Sequence, residues 1–101
     1  MTTPSPKLTV VARFKARPGK EAIVRRELTA LVAPTRAEKG CINYDLHVSA
    51  DDPAAFLFHE NWASEADLER HLQSAHVQAW RERSGELLAE PGEITRWWQT
   101  G

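Results

Sequence analysis

A single cysteine, Cys41, among 101 residues excludes an intrachain disulfide and argues for a reducing compartment. No apolar run approaches the ~20 residues of a membrane-spanning helix, and the opening MTTPSPK has no hydrophobic segment of the secretory kind. A cytoplasmic location is therefore the expectation. Charge of either sign is not in excess: 13 basic and 14 acidic side chains leave a formal net charge of −1. Such a balance gives no electrostatic reason to expect a nucleic acid or an anionic membrane as partner. No glycine-rich dinucleotide fingerprint occurs either. The length suits one domain with a modest core, and no repeat or linker divides it. Residues 1–7, with Pro4 and Pro6, are read as a frayed tail, and residues 8–101 as the domain.

What is present is a repeated switch of hydrophobic period. Residues 8–16 alternate as a strand, with Leu8, Val10, Ala12, Phe14 and Ala16 on one face. A turn at Arg17-Pro18-Gly19-Lys20 leads into a helix expected over 21–38, with Val24, Leu28, Leu31, Val32 and Thr35 as its buried stripe. Pro34 conflicts with that helix and predicts a kink or a loosened last turn, and Gly40 is its natural stop. Residues 41–48 form a second strand with Ile42, Tyr44, Leu46 and Val48 on one face. The turn-rich SADDPA follows, and a third strand alternates Phe56, Phe58, Glu60 and Trp62 against Leu57, His59 and Asn61.

Ser64 then stands as an N-cap, answered by Asp67, and Leu68, His71, Leu72 and Ala75 make one helical stripe. Val77, Trp80, Ser84, Leu87 and Leu88 continue a helical stripe up to Pro91-Gly92, and residues 93–100 make a last strand. The order β-α-β-β-α-β defines an α+β, ferredoxin-like chain: a four-stranded antiparallel sheet with helices on one face. The other sheet face has apolar residues to spare, including a tryptophan on each side of the last strand. An isologous homodimer closed through that face would cover them.

Two residues are out of place for a plain core. Glu60 is the one charge on a strand face of Phe56, Phe58 and Trp62, so it either pairs with a cation or is pushed toward neutrality by desolvation. His71 lies on an apolar helix stripe and must point toward the sheet. His76 lies about 140° round an ideal helix from it, so the two rings converge only if the helix breaks near Ser74-Ala75. His47 and His59 are expected as neighbours on the opposite sheet face, with no third ligand at useful spacing, so no metal site is expected.

The segments GCINYDLH and DDPAAFLFHENWASEADLERHLQSAH, followed by Trp80, resemble the antibiotic biosynthesis monooxygenase family, which includes quinol monooxygenases. The resemblance runs from Leu8 to Trp98 and implies a dimeric α+β barrel with a pocket between sheet and helices. It implies oxidation of a small quinol or phenolic aromatic by dioxygen, with no metal or flavin cofactor. Such chemistry needs a base, donors that hold the resulting anion, and an apolar pocket that admits oxygen. On that reading His71 or Glu60 is the base, Asn61 or His76 the donor, and Trp62, Phe58, Tyr44 and Trp80 are the walls. Haem-degrading relatives carry a helix histidine where this chain has Arg81 and a first-strand asparagine near Ala12, so haem is not expected. A cofactor-free isomerase of a phosphorylated sugar would need a phosphate clamp, for which Arg13, Arg81 and Arg83 are the candidates. A non-enzymatic dimeric ligand-binding protein is the remaining reading.

Overall fold

The structure, a computed structural model, describes residues 7–101, so the tail expected over residues 1–7 lies almost wholly outside the described residues. In chain order it contains β1 (Leu8–Lys15), α1 (Glu21–Thr29), α2 (Val32–Arg36), β2 (Cys41–Val48), β3 (Ala55–Trp62), α3 (Glu65–Leu72), α4 (Ala75–Leu87) and β4 (Glu93–Trp98). The strands form one antiparallel sheet in the order β2-β3-β1-β4. The expected β-α-β-β-α-β order is therefore observed, with each expected helix divided in two.

Both divisions have a local cause. Pro34 sits at the third position of α2, where a missing N–H costs nothing, and its ring would clash with the Ala30 carbonyl if α1 ran on. The helix breaks at Ala30-Leu31 instead, and Val24, Leu28, Leu31 and Thr35 still meet the core. The second break lies at Gln73-Ser74. Ser74 leaves the helical region (φ −65°, ψ 154°), and its Oγ accepts from the Val77 N–H at 3.4 Å, capping α4. Ala75 therefore begins a new helix and is exposed, not part of the stripe expected from Leu68 and His71. Ser64 caps α3 as expected: it accepts from the Asp67 N–H and donates to Asp67 Oδ2 at 2.8 Å.

Leu8, Val10, Ala12, Phe58, Trp62, Val24, Leu28 and Leu68 fill the space between sheet and helices. The register corrects one face of β2. Cys41 pairs with Trp62 and Asn43 with Asn61, so Ile42 is the extra residue of a bulge and is 56% exposed. Cys41 takes the helix-facing place expected for Ile42. At Gly40 the chain turns with φ +84°, and a Cβ there would stand 2.1 Å from Asp67, so only glycine fits between α2 and β2.

Candidate functional site

Strand alternation brings Tyr44, Phe58 and Glu60 to the helix side of the sheet, and α3 lowers His71 onto them. A cavity of about 140 Å³ opens there, lined among others by Tyr44, Phe58, Glu60, His71, Trp80 and Arg81. Tyr44 stacks on Phe58 with ring centroids 4.3 Å apart, and Trp80 meets Phe14 edge-on at 5.6 Å. Trp62 does not line the cavity. It lies behind His71 with ring centroids 4.7 Å apart and is fully buried.

Glu60 is 3% exposed, and no cation reaches its carboxylate among the described residues; its side-chain partner is the Trp62 indole, which donates Nε1–H to Oε1 at 2.9 Å. Burial pushes the carboxyl up to about 7, the Trp62 hydrogen bond opposes the rise, and the charge of Glu38 adds to it. Of the two expectations for Glu60, desolvation holds and cation pairing does not. Burial also lowers the pKa of His71, outweighing the hydrogen bond and charge of Glu38, which act to raise it. Burial and the nearby Glu60 charge raise the Tyr44 phenol far out of the physiological range, so Tyr44 is a neutral wall.

His71 and His76 converge because the helix breaks between them; their ring centroids are 6.0 Å apart. A third residue, Glu38, joins them. His71 Nδ1 lies 2.6 Å and His76 Nε2 3.1 Å from the same Glu38 Oε2. A carboxylate accepts and cannot donate, so the Nδ1 of His71 and the Nε2 of His76 carry the protons. Nε2 of His71, a residue that lines the cavity, is then the unprotonated nitrogen. Glu38 was not legible as a site residue. Its one cue is an acidic side chain at the C-terminal end of a helical segment, where the helix dipole disfavours it. One atom from each of Glu38, His71 and His76 lies within 4.8 Å of the others, a grouping that a divalent cation could bridge.

Asn61 is not brought to this site. It follows Glu60 by one residue, so period 2 turns it to the opposite sheet face. There it accepts from Thr9 Oγ1 at 2.6 Å and donates to Asn43 Oδ1 at 2.8 Å. His47 and His59 also lie on that face, but His59 pairs with Asp45 and His47 with Leu57. The three arginines of a phosphate clamp do not converge. Arg13 faces the far side of the sheet, Arg83 pairs with Glu27, and Arg81 alone lines the cavity. A larger open depression of about 700 Å³, bordered by Arg13, Lys15, His47, Asp52 and Glu93, lies away from Glu60, His71 and Tyr44. Its mixed, mostly exposed charges give it no comparable chemistry.

A ferredoxin-like sheet with an aromatic, acid- and imidazole-bearing cavity under its helices defines a class of small α+β proteins. Within that class, residues 7–83 match the family described as antibiotic biosynthesis monooxygenase. The chain is 42% identical over 95 residues to "Putative monooxygenase Rv0793" of Mycobacterium tuberculosis, covering 94% of this chain and 90% of that one. It is 31% identical over 92 residues to "Probable quinol monooxygenase YgiN" of Escherichia coli, covering 80% of this chain and 88% of that one. The crystal structure of PA3566 from Pseudomonas aeruginosa superposes with a TM-score of 0.92 at 37% identity, over 99% of this chain and 100% of that one. The chain belongs to the antibiotic biosynthesis monooxygenase family.

Proposed function

We propose that this protein is a cofactor-independent monooxygenase that oxidises a small phenol or quinol with dioxygen in the cavity beneath α3 and α4. The observation that carries the reading is that one aromatic pocket is lined both by His71, whose Nδ1 is held by Glu38, and by a near-neutral Glu60 carboxyl. His71 removes the phenolic proton, and the electron-rich anion passes an electron to oxygen. Recombination forms a C–O bond, and Glu60, protonated in part near pH 7, supplies a proton as the O–O bond breaks. For a substrate SH₂ the balance is SH₂ + O₂ → SO + H₂O, with all four electrons drawn from the substrate.

Size narrows the substrate. A cavity of ~150 Å³ holds one benzene ring, so this pocket of about 140 Å³ suits a single aromatic ring, with substituents directed past Arg81. A phosphosugar isomerase is less well supported, because its arginine clamp is not assembled. The outer sheet face, with Trp97 57% exposed opposite Thr9 and with Val11 and Leu57 further along the same face, supports a homodimer closed through that face. The half-buried free thiol of Cys41 suits the cytoplasm. Oxygen uptake by the purified protein with benzohydroquinones and naphthohydroquinones tests the reading. Uptake above the protein-free rate, faster with the single-ring substrates, is expected. No protein-dependent uptake with any of them would overturn it.

A further inference from the structure

We infer that Glu38 is a positioning residue for His71: it holds the imidazole in the Nδ1–H tautomer and, with His76 as its second donor, stabilises the imidazolium formed when His71 takes a proton from the cavity. The inference rests on the general-base reading of His71 given above.

Three elements meet to build this device. Glu38 projects from the turn between α2 and β2, a turn fixed by Gly40, whose carbonyl accepts from the Ala63 N–H at 2.8 Å. His71 comes from the last turn of α3 and His76 from the first turn of α4. Ser74 orders the joint between them, donating from Oγ to the His71 carbonyl at 2.6 Å while capping α4. The chain thus spends a helix break, a glycine turn and a cap on bringing one carboxylate to two imidazoles.

The gradient of exposure gives the arrangement a direction. The His71 side chain is 4% exposed, that of Glu38 16% and that of His76 23%, so the line runs from the cavity toward solvent. When His71 Nε2 gains a proton, the O–H bond of the substrate breaks and an N–H bond forms. The positive charge then lies beside Glu38, whose carboxylate already accepts from Nδ1–H. The logic is that of an acid-base triad, in which the carboxylate orients the imidazole and stabilises its cation without itself being protonated. The other charged or titratable groups around His71 are His76 and Arg81, which oppose its protonation, and Tyr44 and Glu60 across the cavity.

A bound cation is the rival account of the same three residues. Two donors ~2.0–2.1 Å from a tetrahedral zinc stand ~3.3 Å apart. The 2.6 Å between His71 Nδ1 and Glu38 Oε2 is the length of a short charge-assisted hydrogen bond, which favours a shared proton over a shared metal.

Nitrogen-15 NMR of histidine-labelled full-length protein decides between them whether or not a substrate is known. The expected spectrum has His71 as the Nδ1–H tautomer, and in Glu38→Gln its pKa falls, because the anion that favours the cation is gone. With an active substrate, Glu38→Gln is expected to lower kcat by about 10²-fold with little change in KM, and the acid limb of the rate profile should move to lower pH. Glu38→Asp, which keeps the charge, should recover part of the loss. An Nε2–H tautomer in the wild type would overturn the inference. So would a stoichiometric metal in the purified protein, or a Glu38→Gln variant with unchanged His71 titration. Because the tautomer is read without turnover, inactivity toward every phenol would sink the oxidase reading and leave the positioning inference to be judged by the spectrum.

Discussion

Replacing Glu60 with glutamine should remove a loss of stability that the wild-type protein suffers as pH rises. The folded carboxyl sits at about 7, against 4.5 for an unfolded glutamate. Between those values the folded chain keeps a proton that the unfolded chain releases, so stability is full below about pH 4.5 and falls as pH rises through 7. At ~1.4 kcal/mol per pKa unit the loss comes to about 3 kcal/mol by pH 8. Glutamine keeps an oxygen to accept from the Trp62 indole and has nothing to ionise. His71 acts in the opposite sense: its depressed pKa destabilises the fold as pH falls below the ordinary histidine range, equally in both proteins. The difference between wild type and Glu60→Gln therefore isolates Glu60. Urea denaturation at half-unit intervals from pH 4.5 to 8 reads it. The variant should gain on the wild type by about 3 kcal/mol across that range. Parallel curves would show that the buried carboxylate is solvated or paired, and the proton-donor role given to it would fail.

Other outcomes follow from the same contacts. His71→Ala should lower turnover of a phenolic substrate by about 10²-fold or more and destabilise the fold by about 1–3 kcal/mol, because the ring is packed against Trp62 and hydrogen-bonded to Glu38. Oxygen uptake per folded molecule, alongside a melting curve, checks both; full activity would remove His71 from the chemistry. Asn61→Ala should cost about 1 kcal/mol through its bonds to Thr9 and Asn43 while leaving KM unchanged, since it faces away from the cavity. Ser74→Ala should cost about 1 kcal/mol as a lost N-cap, read by denaturation, and should loosen His76 from Glu38. Cys41→Ser should leave turnover intact, because burial raises the thiol pKa and keeps it a poor nucleophile.

Much of the frame was legible because period and punctuation agreed. Alternation along residues 56–62 and the Ser64 cap placed the strand-to-helix unit that carries Glu60 and His71. Pro34 marked the break in the first helix to within a turn. Ile42 was misplaced because a bulge leaves no mark in an alternating pattern. Asn61 was drawn to the site by its neighbours in sequence, although a strand sends successive side chains to opposite faces. The convergence of His71 and His76 hung on whether Ser74 capped a new helix, which short-range propensity leaves open. Glu38 is the deepest omission: it reaches the site across 33 residues to His71, and only tertiary packing brings a turn to a helix end at that separation.

The central claim is oxygen insertion into a small aromatic in this cavity, and labelled dioxygen tests it most directly. Wild-type protein is incubated with a single-ring hydroquinone under ¹⁸O₂, quenched quickly, and its product weighed by mass spectrometry beside a protein-free control and His71→Ala. One ¹⁸O atom in the wild-type product, with the second in water and neither control matching the yield, is the predicted result. An unlabelled product, or equal labelling in all three samples, would contradict the account.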